Sequence, residues 1–446
     1  MTLASLILLL TVSGTRAPKT PLPLPDSEFP LLWKADVGRL SFRNNMLFAG
    51  NHVIFGSNGS SFRDYWLFDK RSGVYVLNQE TGKIVRHFGN EELGDMDVTG
   101  ILLHNNRFYY GNDNEEFLCT DLNGNIIWRI AASGDVEHEP TLLKTKKGEL
   151  IVYATEMGEV RAVNPATGKK VWNYYTEYFD GFKEGDSRVA FKVKSYMSFH
   201  TDLLRKPELA DLNRDGTADL VYLNESNRLI ALDGQTGALL WKREEGEYKR
   251  FSHLIKSGTG KETYFSVGGT LYSSKIDIND TLTTLDMKGN VVYTKSIPHN
   301  LLGESINDVK IGGDTVLYNK SDSLYMVVNG AVVRALPYPM ARFESDTDND
   351  YPYNRESLFA NRVFAFGKHE RCVLLLNQSR FNGSKGAIIE ILSLDDGALV
   401  RRFILPEDGE MSPRIEDVNN DGQLELLVNC YDGNLYCYTM NGSSAR

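Results

Sequence analysis

The chain lacks several features, and each absence removes a class of function. No dense Lys/Arg stretch occurs among the 446 residues, and 59 Asp and Glu against 49 Lys and Arg give a formal charge of −10, so nucleic acid is not an expected partner. The longest apolar run, Leu3 to Val12, is too short to cross a bilayer, and no second run could form a transmembrane span. The four cysteines, Cys119, Cys372, Cys430 and Cys437, form no CxxC, no CxxCH and no adjacent pair, which argues against a zinc knuckle or an attached haem. No Gly-x-Ser-x-Gly, His-Glu-x-x-His or Walker loop is present. The eight histidines are scattered, and only Glu137-His138-Glu139 sets one between carboxylates, a cluster expected on a loop surface rather than at a metal.

What is present is apolar and aromatic. The hydrophobic fraction of 41%, with 22 Tyr and 21 Phe, suits a strand-rich core. Residues 1–17 read as a secretory signal peptide, with the apolar run followed by small residues near Ala17, although no Lys or Arg precedes the run and no lipobox Cys follows it. Prolines at 18, 21, 23, 25 and 30 make residues 18–29 a stiff extended linker. An extracytoplasmic location, periplasmic or secreted, follows as an expectation. The Asn-x-Ser/Thr sequons at Asn58, Asn224, Asn279, Asn319, Asn377, Asn382 and Asn441 would matter for glycosylation only in a eukaryotic secretory context.

The main signal is internal repetition. Arg161-Ala-Val-Asn-Pro-Ala-Thr-Gly-Lys-Lys-Val-Trp172 aligns with Ile230-Ala-Leu-Asp-Gly-Gln-Thr-Gly-Ala-Leu-Leu-Trp241: strand, Thr-Gly turn, strand, with Trp four residues after the Gly. Related turns fall at Gly82, Gly124, Gly289, Gly330, Gly397 and Gly442, giving eight in all at intervals of roughly 40 to 70 residues, which suits four-stranded blades with inserts. The eighth unit lacks an outgoing strand, and Pro30-Leu-Leu-Trp-Lys34 resembles Ala238-Leu-Leu-Trp-Lys242 closely enough to supply it. The expected fold is therefore all-β: an eight-bladed β-propeller of four-stranded antiparallel blades over residues 30–442, closed by an N-terminal strand, with 443–446 as a tail. The positions four residues after the turns hold Arg86, Trp128, Trp172, Trp241, Tyr293, Arg334 and Arg401, with Trp33 completing the set. In these residues the chain resembles the PQQ-like (quinoprotein-type) propeller repeat, including BamB-type propellers. That resemblance implies Trp residues that dock each blade on the next.

Two loops carry metal-binding chemistry. Asp211, Asn213, Asp215, Thr217 and Asp219 stand at positions 1, 3, 5, 7 and 9 of one, and Asp417, Asn419, Asp421, Gln423 and Glu425 at the same positions of the other. Each has Gly at position 6, where a calcium loop turns sharply, and Thr217 and Gln423 would offer backbone carbonyls. Position 12 holds Tyr222 or Val428 rather than Glu, so neither is an EF-hand. The loops resemble the FG-GAP/VCBS type between propeller strands, and two structural Ca2+ ions are expected. Asp346-Thr-Asp-Asn-Asp350 lacks the Gly and reads as a solvated loop.

Activity is less legible than fold. PQQ binding is not expected: the cysteines that would cap a quinone are absent, and no catalytic or cofactor-binding residue is assigned. Cys430 and Cys437 flank Gly433-Asn434; a turn there would let them bridge, whereas a turn at Asp432-Gly433 would leave free buried thiols. Aromatic-rich inserts run from Tyr174 to His200 and from Arg342 to Phe366. They suit either packing on the ring or recognition of a protein or carbohydrate partner. The leading expectation is an exported, calcium-stabilised, non-enzymatic binding scaffold. The enzyme alternatives are a PQQ-type oxidoreductase or a calcium-dependent polysaccharide lyase.

Overall fold

A computed structural model describes residues 29–59, 70–89, 96–176, 206–223, 228–244, 249–258, 263–271, 280–297, 304–305, 309–311, 315–320, 323–338, 356–377, 387–409 and 411–444. The proposed signal peptide, most of the Pro-rich linker and the acidic run at 346–350 lie outside them. All regular elements among the described residues are strands, and the fold is a β-propeller of antiparallel blades.

Four-strand units form because each repeat alternates buried and exposed positions and turns on a left-handed residue. In the blade of Thr141–Thr145, Gly148–Ala154, Glu159–Val163 and Lys170–Tyr175, the two central strands are buried, and the outer one shows its charged or β-branched face to water. Its last hairpin is closed by Asn164, whose Oδ1 accepts the backbone N–H groups of Ala166 and Thr167 at 3.0 and 3.2 Å. Asp233 performs the same service for Gln235 and Thr236. This Asx cap explains the Asn/Asp-x-x-Thr-Gly spelling of the repeat.

The ring closes as its sequence implies. Leu31–Asp36 pairs antiparallel with Asn434–Met440, placing Trp33 opposite Cys437, and completes the sheet that Arg414–Glu416 and Leu424–Asn429 begin. Tying both ends into one blade removes an open sheet edge.

Two expectations need correction. The strands group into seven sheets, not eight. Six have four strands, and the seventh has 11 because Glu304–Ser305 pairs in parallel with Glu356–Phe359, joining the units that turn at Gly330 and Gly397. Turn glycines count hairpins, and a parallel bridge between units does not alter that count. The assigned margins also belong to the fold. Phe29, placed in the linker, is 2% exposed and meets Phe366 and Phe403 edge to face. Ser443–Ser444, placed in the tail, pairs with Phe364–Phe366.

The repeating Trp is an inter-blade dock. A Cβ on Gly237 would lie 2.4 Å from the Trp172 ring, so the ring of one blade sits flat on the turn glycine of the next. Trp33 on Gly82, Trp128 on Gly168 and Trp241 on Gly289 repeat the contact. Three of these indoles also donate to a carbonyl of the turn they cover: Trp33 to Gln79, Trp128 to Pro165 and Trp241 to Met287, at 2.9 to 3.1 Å. Arg334 occupies the Trp position of its unit and donates to the Leu394 and Asp395 carbonyls at 3.2 and 2.6 Å. Arg334 thus keeps the donor role in a unit where the indole is missing.

The cysteine question resolves by register. Gly433 N–H bonds the Cys430 carbonyl at 2.9 Å and Cys430 N–H bonds the Asn434 carbonyl at 3.0 Å, so the hairpin is centred on Asp432 and not on Gly433-Asn434. Cys437 faces Leu427 across the ladder, and the two thiols enter different core clusters on opposite faces of the sheet. All four cysteines are free and buried.

Candidate functional site: two acidic loops and a charged hub

The two loops share the bonds that their side-chain oxygens accept at positions 1, 3 and 5. Position 1 holds the turn with both oxygens: Asp211 accepts from the N–H of Asp215 and of Gly216 at 3.0 Å each, and Asp417 accepts from Asp421 and Gly422 at 3.1 and 3.0 Å. Position 3 aims at the same N–H, from Asn213 at 2.9 Å and Asn419 at 3.0 Å, so two side-chain oxygens converge on one point in each loop. Asp215 and Asp421 at position 5 accept from Thr217 and Gln423 at 2.7 Å. The backbone is left-handed at position 4 (Arg214 and Asn420) and at position 6 (Gly216 and Gly422). Gly216 and Gly422 have nothing within 4 Å of a built Cβ, so the positive φ, not crowding, is what favours glycine there.

Position 9 separates them. Asp219 is fully buried and engaged on both oxygens: Oδ2 accepts from Leu212 at 2.8 Å and Asn213 at 3.3 Å, and Oδ1 accepts from Gly234 at 2.9 Å. Glu425 is equally buried, but only Oε2 is engaged, by Val418 N–H at 3.0 Å. Its Oε1 is sealed without a hydrogen-bond partner, and burial pushes its carboxyl up to about 7. The Thr217 hydroxyl is also sealed and partnerless. Among the described residues, no group of three His, Cys, Asp or Glu side chains is gathered as a metal set. The donors these loops offer are mixed carboxylate, amide and carbonyl oxygens.

The structure reveals a second cluster that motif reading missed. Arg43, ahead of the first inner strand, pairs with Glu137, ahead of the third. Lys310 similarly reaches Glu208 at 3.7 Å, passing over the sheet between them. Ion pairs that skip a sheet require that the first strands converge, so these residues lie at the hub. Lys206 with Glu139 (2.9 Å) and Arg362 with Glu416 (3.6 Å) extend the belt, and Lys256 donates to the Leu209 carbonyl. Pairs with one or both members exposed add little stability, so the belt matters chiefly as a charged surface.

His138 belongs to this hub and not to a loop surface, which corrects the reading of Glu137-His138-Glu139. The residue is 2% exposed and lies against Tyr222, with ring centroids 6.3 Å apart. Nδ1 donates to the Glu139 carbonyl at 2.9 Å, and Nε2 has no partner. Burial pushes its pKa down to about 4, and the charges of Lys206 and Arg43 push the same way. Stability from the neutral imidazole is complete above the unfolded value near 6.5 and is lost as pH falls towards 4, about 3 kcal/mol in all. His138→Asn keeps a donor for the Glu139 carbonyl and removes the titration. Its stability, followed by urea denaturation, should fall less between pH 7 and 4.5 than that of the parent; equal slopes would refute the assignment.

The aromatic inserts divide. Tyr178, Phe179, Phe182, Phe191, Tyr196, Phe199, Phe343, Tyr351 and Tyr353 lie outside the described residues. Phe359, Phe364 and Phe366 are core residues, at 0, 1 and 7% exposure, so this part of the second insert is packing. Asn377, a sequon residue, is buried, with its amide donating to Tyr338 and Glu390.

Comparison with known proteins agrees with this architecture. Residues 70–254 match the family described as outer membrane protein assembly factor BamB. Among solved structures, BamB from Moraxella catarrhalis shares 14% identity at a TM-score of 0.54, covering 92% of this chain and 100% of its own. Saccharomyces cerevisiae Sqt1 shares 10% at 0.56, covering 93% and 99%. Quinohemoprotein alcohol dehydrogenase from Comamonas testosteroni shares 11% at 0.52, covering 93% and 77%. No curated protein matches in sequence. The chain is thus similar to the BamB-type PQQ-like repeat over residues 70–254, and the structural neighbours share its fold.

Proposed function

We propose that this protein is an extracytoplasmic, calcium-braced propeller that works by binding protein partners. The match of residues 70–254 to an outer membrane assembly factor carries the reading. The surface supports it. Exposed apolar residues recur at the start of the outer strands, at Leu31, Ile84, Ile126, Val171, Val292 and Val333, forming a broken girdle that a protein can cover. No helix among the described residues is long and apolar enough to cross a membrane. The signal-like segment at 1–17 supplies the export reading.

Calcium fits the loops as a brace. In each, Asp, Asn and Asp oxygens converge around a left-handed turn, and in the second the buried Glu425 Oε1 has no partner that a cation would otherwise supply. Asp417, Asn419, Asp421 and Glu425 would hold one ion, with the Gln423 carbonyl. Asp211, Asn213 and Asp215 would hold the other, with the Thr217 carbonyl and Asp219. Bound there, calcium would neutralise the loop carboxylates.

The test separates scaffold from enzyme. A photo-crosslinker at Val171 or Val333, 52 and 60% exposed, should give a discrete protein adduct in the native cell envelope. Loading purified protein with PQQ and calcium should give no dye-linked alcohol oxidation. Turnover after loading would overturn the scaffold reading.

A further inference from the structure

Among the described residues, Arg414 has no counter-ion in contact. It stands on the inner strand Arg414–Glu416, which pairs with the strand Leu424–Asn429 on one side and is held at Ile415 by the Asn361 side chain, and Ile415 points into the core. The other cations of the belt each have a partner: Arg43 takes Glu137, Lys206 takes Glu139, Lys310 takes Glu208 and Arg362 takes Glu416. Arg414 Nε is sealed from solvent without an acceptor. Burial pulls its guanidinium below the ordinary range, and the opposing charge felt there is Glu139, from the far side of the ring. Arg43 Nε and His138 Nε2 are likewise sealed and unpaired. Phe42 packs on the core cluster that contains Ile415 while Arg43 beside it reaches Glu137, so the hub is narrow enough for one side chain to bridge.

Arg414 is half-buried: its Nε is sealed without an acceptor while the rest of the residue keeps some access to water, and a polar atom sealed in that way is costly to leave unmatched. The mouth is open to water: Glu139 and Lys206 side chains are 22 and 47% exposed, and Arg43 and Glu137 18 and 20%. In a chain of net charge −10, an unpaired arginine in a partly open funnel is a local positive focus.

We propose that the hub is a binding site for an oxyanion, a carboxylate or phosphate group, seated on the Arg414 guanidinium. The planar fork matches two anionic oxygens, which a lysine would not. The site does not depend on the scaffold reading and would stand if the partner proved not to be a protein.

The experiment is calorimetric titration of the full chain at fixed ionic strength and calcium, with acetate, malate and inorganic phosphate against chloride. Saturable binding of malate or phosphate, and not of chloride, is expected. The malate and phosphate arms tell the carboxylate source from the phosphate one. Arg414→Met should weaken binding at least tenfold, and Arg414→Lys should restore only part. Glu139→Gln removes the carboxylate that competes for Arg414 and should tighten binding several-fold, a gain that misfolding cannot imitate. No saturable signal above chloride, or unchanged affinity in Arg414→Met and Glu139→Gln alike, would overturn the proposal.

Discussion

Stripping calcium should lower the thermal midpoint of the protein, and two neighbouring substitutions should then behave in opposite ways. An ion that binds only the folded state at a hundred times its dissociation constant adds about 2.7 kcal/mol, so two loops give about 5 kcal/mol. Glu425→Gln should be neutral or stabilising in chelator, because the buried carboxyl whose Oε1 lacks a partner becomes an amide. In calcium the same variant should lose the response of its loop. Asp219→Asn should instead destabilise the protein in chelator, because both oxygens already hold backbone N–H groups of Leu212, Asn213 and Gly234, and an amide nitrogen cannot accept. Melting curves with calcium, magnesium and chelator check both, and magnesium, which demands tighter octahedral geometry, should not replace calcium. Identical curves in calcium and chelator would remove the ions from the account.

Much of the fold was legible because the repeat is local. Hairpin, Asx cap, Thr-Gly and the Trp four residues on all fall within one short window, as in Arg161 to Trp172 and Ile230 to Trp241. The closing strand was legible for the same reason, since Leu31-Leu32-Trp33 copies that window. The sheet count was not, because it depends on the parallel pair of Glu304–Ser305 with Glu356–Phe359, which has no local signature. The loops were readable as donors at fixed spacing. The difference between Asp219 and Glu425 was not, because it rests on Gly234 N–H arriving from the turn that follows the strand Arg228–Leu232. The hub was missed outright. Its pairs join residues as far apart as Arg43 and Glu137, and each charge alone looks like an ordinary surface residue. A faint signal did exist: charges abut prolines where inner strands begin, at Glu139-Pro140, Lys206-Pro207 and Pro413-Arg414.

The Trp–Gly dock makes the other large prediction, because one glycine meets two separate demands. Gly237 has φ +72 and a Trp172 ring atom 2.4 Å from any Cβ. Alanine there incurs left-handed strain and also displaces a packed indole, together about 3 kcal/mol. Gly50 isolates the first term: its φ is +63, yet nothing lies within 4 Å of a built Cβ. Gly50→Ala should therefore cost about 1 kcal/mol, the strain alone. Trp172 is 7% exposed and anchors a core cluster that spans two blades, so Trp172→Leu should itself cost several kcal/mol, on the order of 3. The double variant decides the mechanism. If the ring seats on the glycine, adding Gly237→Ala to Trp172→Leu should cost no more than Gly50→Ala does, because the indole that resisted the methyl is gone. The two losses would then fall short of additivity by about 2 kcal/mol, within the range that touching residues show. Full additivity in urea denaturation would mean that the glycine serves the turn alone and that the blades are held by something other than this repeated contact.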